Sequence, residues 1–337
     1  MDSSRIALNY LRLVYPPVSS FEAEYIVSDS EVKAVLEDSN FYMIAKRPQI
    51  FFGHPEISSD ETLLTLPLKM TLDTGETVED CAEINLDELP SSSPHADITL
   101  SFDERHKFIS IHEGSASEVD ADRAPLLDWF TTEKLLFDRW RNKPGISGLH
   151  HLRKFTNYEL LYVGISNENN TGVRLFSGSH EARQRILNNE FAIYGGGRIS
   201  EEIYLFAFDI EPVSVRTLAL TDRLTGHPGG PDFLEKKKVI ADAEKAFIDL
   251  LGVKYNRTKY ENYPKGKDGL YTSGLSGYMY QIAESITLVA ENCTFRGDRD
   301  LLTGYPTNCA NALVIRDELT TVFDPPDSNE GDDCSTD

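Results

Sequence analysis

A carboxylate stands close to the face of a helix that should be buried. In the run DFLEKKKVIADAEKAFIDLL (232–251), Ile240, Ala243, Phe247, Ile248 and Leu251 form an apolar stripe at helical spacing. Glu244 lies one turn from both Ile240 and Ile248, on or beside that stripe. A carboxylate withdrawn from water needs a cation, a metal ion or several hydrogen-bond donors. The plainest partner is a lysine of the same helix, Lys245 or Lys238, which would make Glu244 a rim residue. The alternatives are a metal ion or a set of hydrogen-bond donors. Asp232 is the expected N-cap of this helix and Gly252 the residue that ends it.

The elements around this helix alternate in type. ISGLHHLRKF (146–155) and ELLYVGIS (159–166) read as two strands joined by the turn TNY, the second apolar enough to be buried on both faces. A helix follows, HEARQRILNNE (180–190), with Ser179 as its expected cap, and then a third strand, EEIYLFAFDI (201–210). The order is strand, strand, helix, strand, helix. On it lie Gly148 opening GLH, Tyr162 opening YVG, Arg174 in VRL, His180 at the first helix, and Glu244 followed by Tyr255 and Asn256.

This arrangement resembles the GIY-YIG nuclease family over about residues 145–260. In that family paired strands carry the GIY and YIG motifs, an arginine follows, and a later helix bears a metal-binding glutamate with an asparagine beyond it. The interval from Glu244 to Asn256 and its Tyr-Asn ending are similar to those of the family's DNA-repair excision members. The resemblance implies an α+β fold, with a β-β-α-β-α catalytic domain built on a three-stranded sheet. It implies a divalent-metal-dependent endonuclease that hydrolyses phosphodiester bonds in nucleic acid, DNA in the first instance. Glu244 would hold Mg2+ or Mn2+, and Arg174 would grip the scissile phosphate. Tyr162 would orient or deprotonate the attacking water, with His180 assisting, and Asn256 would fix the loop after the metal helix or a phosphate. Arg183, Arg185 and the lysines 236–238, Lys238 among them, would add phosphate contacts outside the active site.

One position departs from the family. Where GIY has its tyrosine this chain has His150, with His151 beside it. Imidazole can replace a phenol as acceptor and is the better base near neutral pH. Equally, the change could mark a domain that has lost cleavage, leaving a catalytically inactive nucleic-acid-binding or scaffold protein.

The remainder of the chain frames this module. Its 337 residues carry 33 Lys and Arg against 55 Asp and Glu, a net charge of −22. Such an excess argues on average against a polyanionic partner. The charge is uneven, however: −15 over residues 1–125, +2 over 126–260 and −9 over 261–337, so the candidate residues occupy the least acidic stretch. Short strand-like runs punctuated by Pro, Gly and Ser make residues 1–125 an expected acidic, β-rich N-terminal domain, able to recruit a basic protein partner or cover the module. Residues 126–144 are expected to hold a connecting helix, 145–322 the nuclease-like domain with a C-terminal extension, and 323–337 a disordered acidic tail. GYMYQIAESITLVAEN (277–292) reads as a final packing helix, and ENYPKGKDGLY (261–271) as a turn or a substrate-facing loop. Cys81, Cys293, Cys309 and Cys334 show no zinc-ligand spacing and read as free thiols in a reducing compartment. With no leader-like or membrane-spanning segment, the expectation is an intracellular protein without a membrane partner.

Overall fold

The computed structural model describes residues 5–26, 28–90, 97–114, 124–166, 175–176, 180–216 and 234–325. The fold is mixed α+β, mostly sheet with few helices, and divides into two compact units. The first comprises Met1–Arg47, Asn157–Glu190 and Ile203–Asp337; the second comprises Pro48–Thr156 and Phe191–Glu202.

The first unit is built on a ten-stranded sheet. Its strands are β1 (Arg5–Leu13), β2 (Phe41–Lys46), β3 (Asn157–Ile165), β4 (Ile203–Arg216), β5 (Gly277–Ile282), β6 (Thr287–Val289), β7 (Thr294–Arg296), β8 (Ala312–Arg316) and β9 (Leu319–Phe323). They run in the order β7-β6-β3-β2-β4-β1-β5-β8-β9, and the short pair Val18–Ser19 joins β4. Central strands are buried on both faces, which is why FYMIA and IYLFAF are continuous apolar runs. Two helices of this unit carry candidate residues, α1 (Glu181–Asn189) and α2 (Lys236–Leu251). The apolar stripe of α2 packs on the sheet through Phe247, whose ring lies 5.6 Å from both Phe41 and Phe295. Gly252 ends α2 with φ of 69°, a conformation that favours glycine.

The second unit has a five-stranded and a three-stranded antiparallel sheet and the helix Thr132–Trp140. Strand Leu63–Thr71 alternates strictly, burying Leu64, Leu66, Leu68 and Met70, and pairs along its length with Thr77–Asn85.

Several expectations are corrected here. The division does not fall near residue 125: β1 lies inside the large sheet between β4 and β5, so the first 47 residues belong with the late chain. The expected connecting helix is a strand, Leu126–Thr131, followed by the helix Thr132–Trp140, because LLDWF carries strand-forming residues ahead of the Thr131 cap. The expected final helix is two strands, β5 and β6. In GYMYQI the buried residues are Tyr278, Tyr280 and Ile282, a period of two, which only a strand can present to one face. Of the three strands expected for the module, two lie in this sheet as β3 and β4, separated by β2, and the first, Ile146–Gly148, belongs to the second unit. Cys309 is disulfide-bonded while Cys81 and Cys293 are free, which removes the cysteine argument for a reducing compartment. Among the described residues no helix is long and apolar enough to cross a membrane. Asp232, Ser179, Arg174 and the acidic tail beyond residue 325 lie outside the described residues.

Candidate functional site

The expected pairing of GLH with YVG does not occur. Gly148 and His150 belong to the second unit, where Ile146–Gly148 pairs with Ala82–Ile84 and the His151 amide donates to Asp80 at 2.5 Å. The strand beside β3 is instead β2, antiparallel, with Gly164 opposite Tyr42 and Tyr162 opposite Ile44. Tyr42 thus stands in the place expected for His150, and residues 48–156 are inserted between the two tyrosine-bearing strands.

Tyr42, Tyr162 and His180 form one aromatic cluster. The tyrosine rings stack at 6.1 Å, and the imidazole stands edge-on to both at 5.4 and 5.8 Å. A register slip between Leu160 and Tyr162 buries Leu160 and Leu161 in succession and sets the facing of Tyr162. Gly164 makes the cluster sterically feasible. A Cβ there would lie 2.6 Å from Cζ and Oη of Tyr42.

His180 also caps α1, in the role expected for Ser179. Its Nδ1 accepts the Arg183 backbone N–H at 3.2 Å, and its Nε2 lies 2.8 Å from Tyr42 Oη. A nitrogen that accepts from an amide carries no proton, so the ring proton sits on Nε2 and is donated to the Tyr42 oxygen.

One cleft in the first unit is lined by Tyr42, Tyr162, His180, Arg185, Glu244 and Tyr260, with Asn256 and Arg257 also on its wall. Glu244 is half-buried. Neither expected lysine neutralises it: Lys245 pairs with Asp268, and Lys238 pairs with Glu235 at 3.0 Å. Among the described residues the Glu244 carboxylate has no hydrogen bond or ion pair. Burial pushes it up to about 7, against the charge of Lys245, and the charge of Asp268 pushes the same way as burial.

The two helix arginines part company. Residues two apart on a helix point about 200° apart. Arg183 is 2% exposed and committed inward, donating to Ser20 Oγ at 2.7 Å, to the Ser20 carbonyl at 2.5 Å and to the Phe176 carbonyl at 2.9 Å. It is a structural clamp, which corrects the phosphate role expected for it. Arg185 is in the cleft wall, where Nη2 donates to the Tyr255 carbonyl and Nε is buried without a hydrogen-bond partner among the described residues. Lys238 lines the adjoining stretch of cleft with Lys237 and Glu244.

Asn256 fixes the segment after α2. Its side-chain amide accepts from Val163 N–H at 3.0 Å and donates to the Val163 carbonyl at 2.7 Å, while Tyr255 N–H donates to the Leu161 carbonyl at 3.0 Å. The amide completes the ladder of β3 as a neighbouring strand would.

Among the described residues no group of three or more His, Cys, Asp or Glu could hold a metal ion. Glu244 offers a single carboxylate. Such a donor set does not suit a fully caged metal but fits Mg2+, which keeps several waters and needs only one or two carboxylates beside substrate phosphates. Sequence reasoning missed Tyr42 and Tyr260. A tyrosine in an apolar strand, FYMIA, is the only signal for the first. Comparisons with protein-family models, curated proteins and solved structures found no match for this chain.

Proposed function

We propose that this protein is a divalent-metal-dependent endonuclease that hydrolyses phosphodiester bonds in DNA, using a GIY-YIG-like site in its first unit. The observation that carries the reading is the half-buried Glu244, unpartnered among the described residues, sharing a cleft with Tyr42, Tyr162, His180 and Arg185. The chain order supports it as well: β2, β3, α1, β4 and α2 follow the family's strand, strand, helix, strand, helix, with Tyr42 in place of the GIY tyrosine. On this reading His150 has no part in the chemistry, and its departure from the family pattern does not argue against cleavage.

Glu244 would hold Mg2+ or Mn2+, and a cation there would offset the negative charge that develops on the phosphate and the leaving oxygen. Arg185, with an unused Nε–H, is placed to bind a phosphate oxygen. Tyr42 and Tyr162 orient the attacking water. The Nε2–H of His180 would stabilise negative charge on the Tyr42 oxygen, so that Tyr42, having released its own proton to solvent, takes the water's proton as the water oxygen bonds to phosphorus. The bond from phosphorus to the leaving oxygen breaks in the same displacement. Lys237 and Lys238 extend the cationic lining beyond Glu244.

Supercoiled plasmid incubated with Mg2+ and purified wild-type or Glu244→Gln protein tests the reading. Nicking by the wild type that the variant lacks is expected; equal nicking by both would defeat it. A wild type that is inert yet binds DNA with a steep salt dependence would support a binding module in its place.

A further inference from the structure

Glu244 and Lys245 line the same stretch of cleft, and the lysine's charge reaches the half-buried carboxylate, which would draw the ammonium to itself. Here it does not, because Lys245 is taken by Asp268, a residue of the loop that follows Asn256. What places Asp268 is a second carboxylate of α2. Asp242 is 1% exposed and accepts four hydrogen bonds: from Leu270 N–H at 2.7 Å and from the hydroxyls of Tyr263, Tyr280 and Tyr278 at 2.7, 2.9 and 3.2 Å. Tyr263 and Leu270 bracket the loop, so Asp242 holds it from both sides. Gly269 approaches so closely that a Cβ there would lie 2.4 Å from Asp242 Oδ2. The contacts therefore run without a break from Asp242 through Leu270 and Gly269 to Asp268, and from Asp268 to Lys245 beside Glu244.

We propose that Asp242 and Asp268 form a relay that holds the Lys245 ammonium off Glu244 and so keeps Glu244 open to a divalent cation. Asp242 and Asp268 are positioning residues in this scheme. The inference rests on the reading of Glu244 as a cation ligand. The loop 261–271 is thereby assigned a task that is neither base stacking nor simple turning: it occupies a competing charge. The charges of Lys245 and Asp268 act on Glu244 in opposite senses, as members of one cluster must. Without Asp268 the flexible lysine stem frees the ammonium to turn to Glu244, which lines the same stretch of cleft.

The test is Mn2+ binding to the full chain, followed by electron paramagnetic resonance, in wild type, Glu244→Gln, Asp268→Asn, Lys245→Met and the double variant Asp268→Asn/Lys245→Met. Asp268→Asn is expected to weaken Mn2+ by about tenfold or more, because an ammonium then competes for the same oxygens. Removing that ammonium in the double variant is expected to restore affinity to about threefold of Lys245→Met alone. Asp242→Asn should show the same loss and the same rescue; because Asp242 is buried and that variant can fail to fold, the exposed Asp268 is the primary test. Wild-type affinity in Asp268→Asn, or a loss that Lys245→Met does not rescue, overturns the relay, since a loop that is merely structural gives loss without rescue. If wild type binds no Mn2+ that Glu244→Gln abolishes, the reading of Glu244 falls. The relay is then judged from a crystal structure of Asp268→Asn: Lys245 Nζ within about 4 Å of Glu244 supports it, and Lys245 elsewhere overturns it.

Discussion

The two units differ in the buried charge they leave unsatisfied: the first satisfies some of its charges, Asp242 and Arg183 among them, but leaves Glu244 and one Arg185 N–H without partners among the described residues. In the second, Lys134 and Lys143 both pair with both Asp128 and Asp138, at 2.7–3.2 Å. Burial would raise the Asp128 carboxyl, but the hydrogen bond from Lys143 and the charges of both lysines outweigh it and hold it below the usual range. Glu202 likewise spends itself on the amides of Ile193 and Tyr194. In the first unit, Glu244 is pushed up to about 7 and Arg185 keeps a buried, unused Nε–H. Satisfied charge is architecture. On the function proposed above, the charge left unsatisfied around Glu244 is where a ligand completes the structure.

The sharpest way to break this contrast is to remove one carboxylate from each unit. Glu244→Gln should reduce plasmid cleavage by about a thousandfold or more while leaving the fold intact. Asp128→Asn should do the reverse, lowering stability by about 2–3 kcal/mol in denaturant unfolding, since it strips a buried partner from two lysines, with cleavage by the folded fraction unchanged. A cleavage defect in the second variant, or none in the first, would erase the distinction.

Gly164→Ala tests whether the aromatic cluster belongs to the chemistry. The new methyl meets the Tyr42 ring, so cleavage should fall about ten- to a hundredfold, with a stability cost of about 1–3 kcal/mol. Unchanged kcat would show that the Tyr42 position is immaterial. Asn256→Ala leaves the Val163 amide and carbonyl without their partners and should cost about 2 kcal/mol, read as a lower denaturation midpoint. A midpoint within error of wild type would mean that the amide does not complete the β3 ladder.

A pH dependence distinguishes Glu244 in its turn. The Glu244 carboxyl lies above its ordinary value of 4.5 in the folded protein, at about 7, chiefly through burial. The folded state therefore binds the proton more tightly than the unfolded one. The resulting stability is fully present below about 4.5 and is lost as pH rises through about 7. Glu244→Gln has no such proton. Wild type should accordingly lose stability relative to the variant between pH 5 and 8, roughly spanning that window. A stability difference that is constant over this range would contradict the burial of Glu244.

Legibility in the sequence follows the range of the interactions. Glu244 is visible because it interrupts the period of Ile240, Ala243 and Phe247 within one helix, and Gly252 and Asn256 lie within two turns of its end. Tyr42 is not, because its partner strand is separated from it by residues 48–156, and no local pattern says which strands pair across such an insertion. GLH attracts attention by standing next to YVG in the chain, yet neighbours in sequence here belong to different units. The arginines at 183 and 185 look alike as residues. Helical phase sends one inward and one to the cleft, and the Ser20 contacts of Arg183 come from a segment more remote still.

The place of β1 in the sheet has a consequence for the order of assembly during synthesis. Arg5–Leu13 pairs with β4 as far as Arg216 and, in parallel, with β5 from Gly277 to Ile282. A nascent chain emerging from the ribosome must therefore keep β1 waiting until β4, which begins at Ile203, has been made. Most pairing in the second unit closes over short spans, and that unit can form early, as local topologies do. α2 also emerges long after β2, so no nascent chain that stops short of Tyr260 can carry the cleft complete.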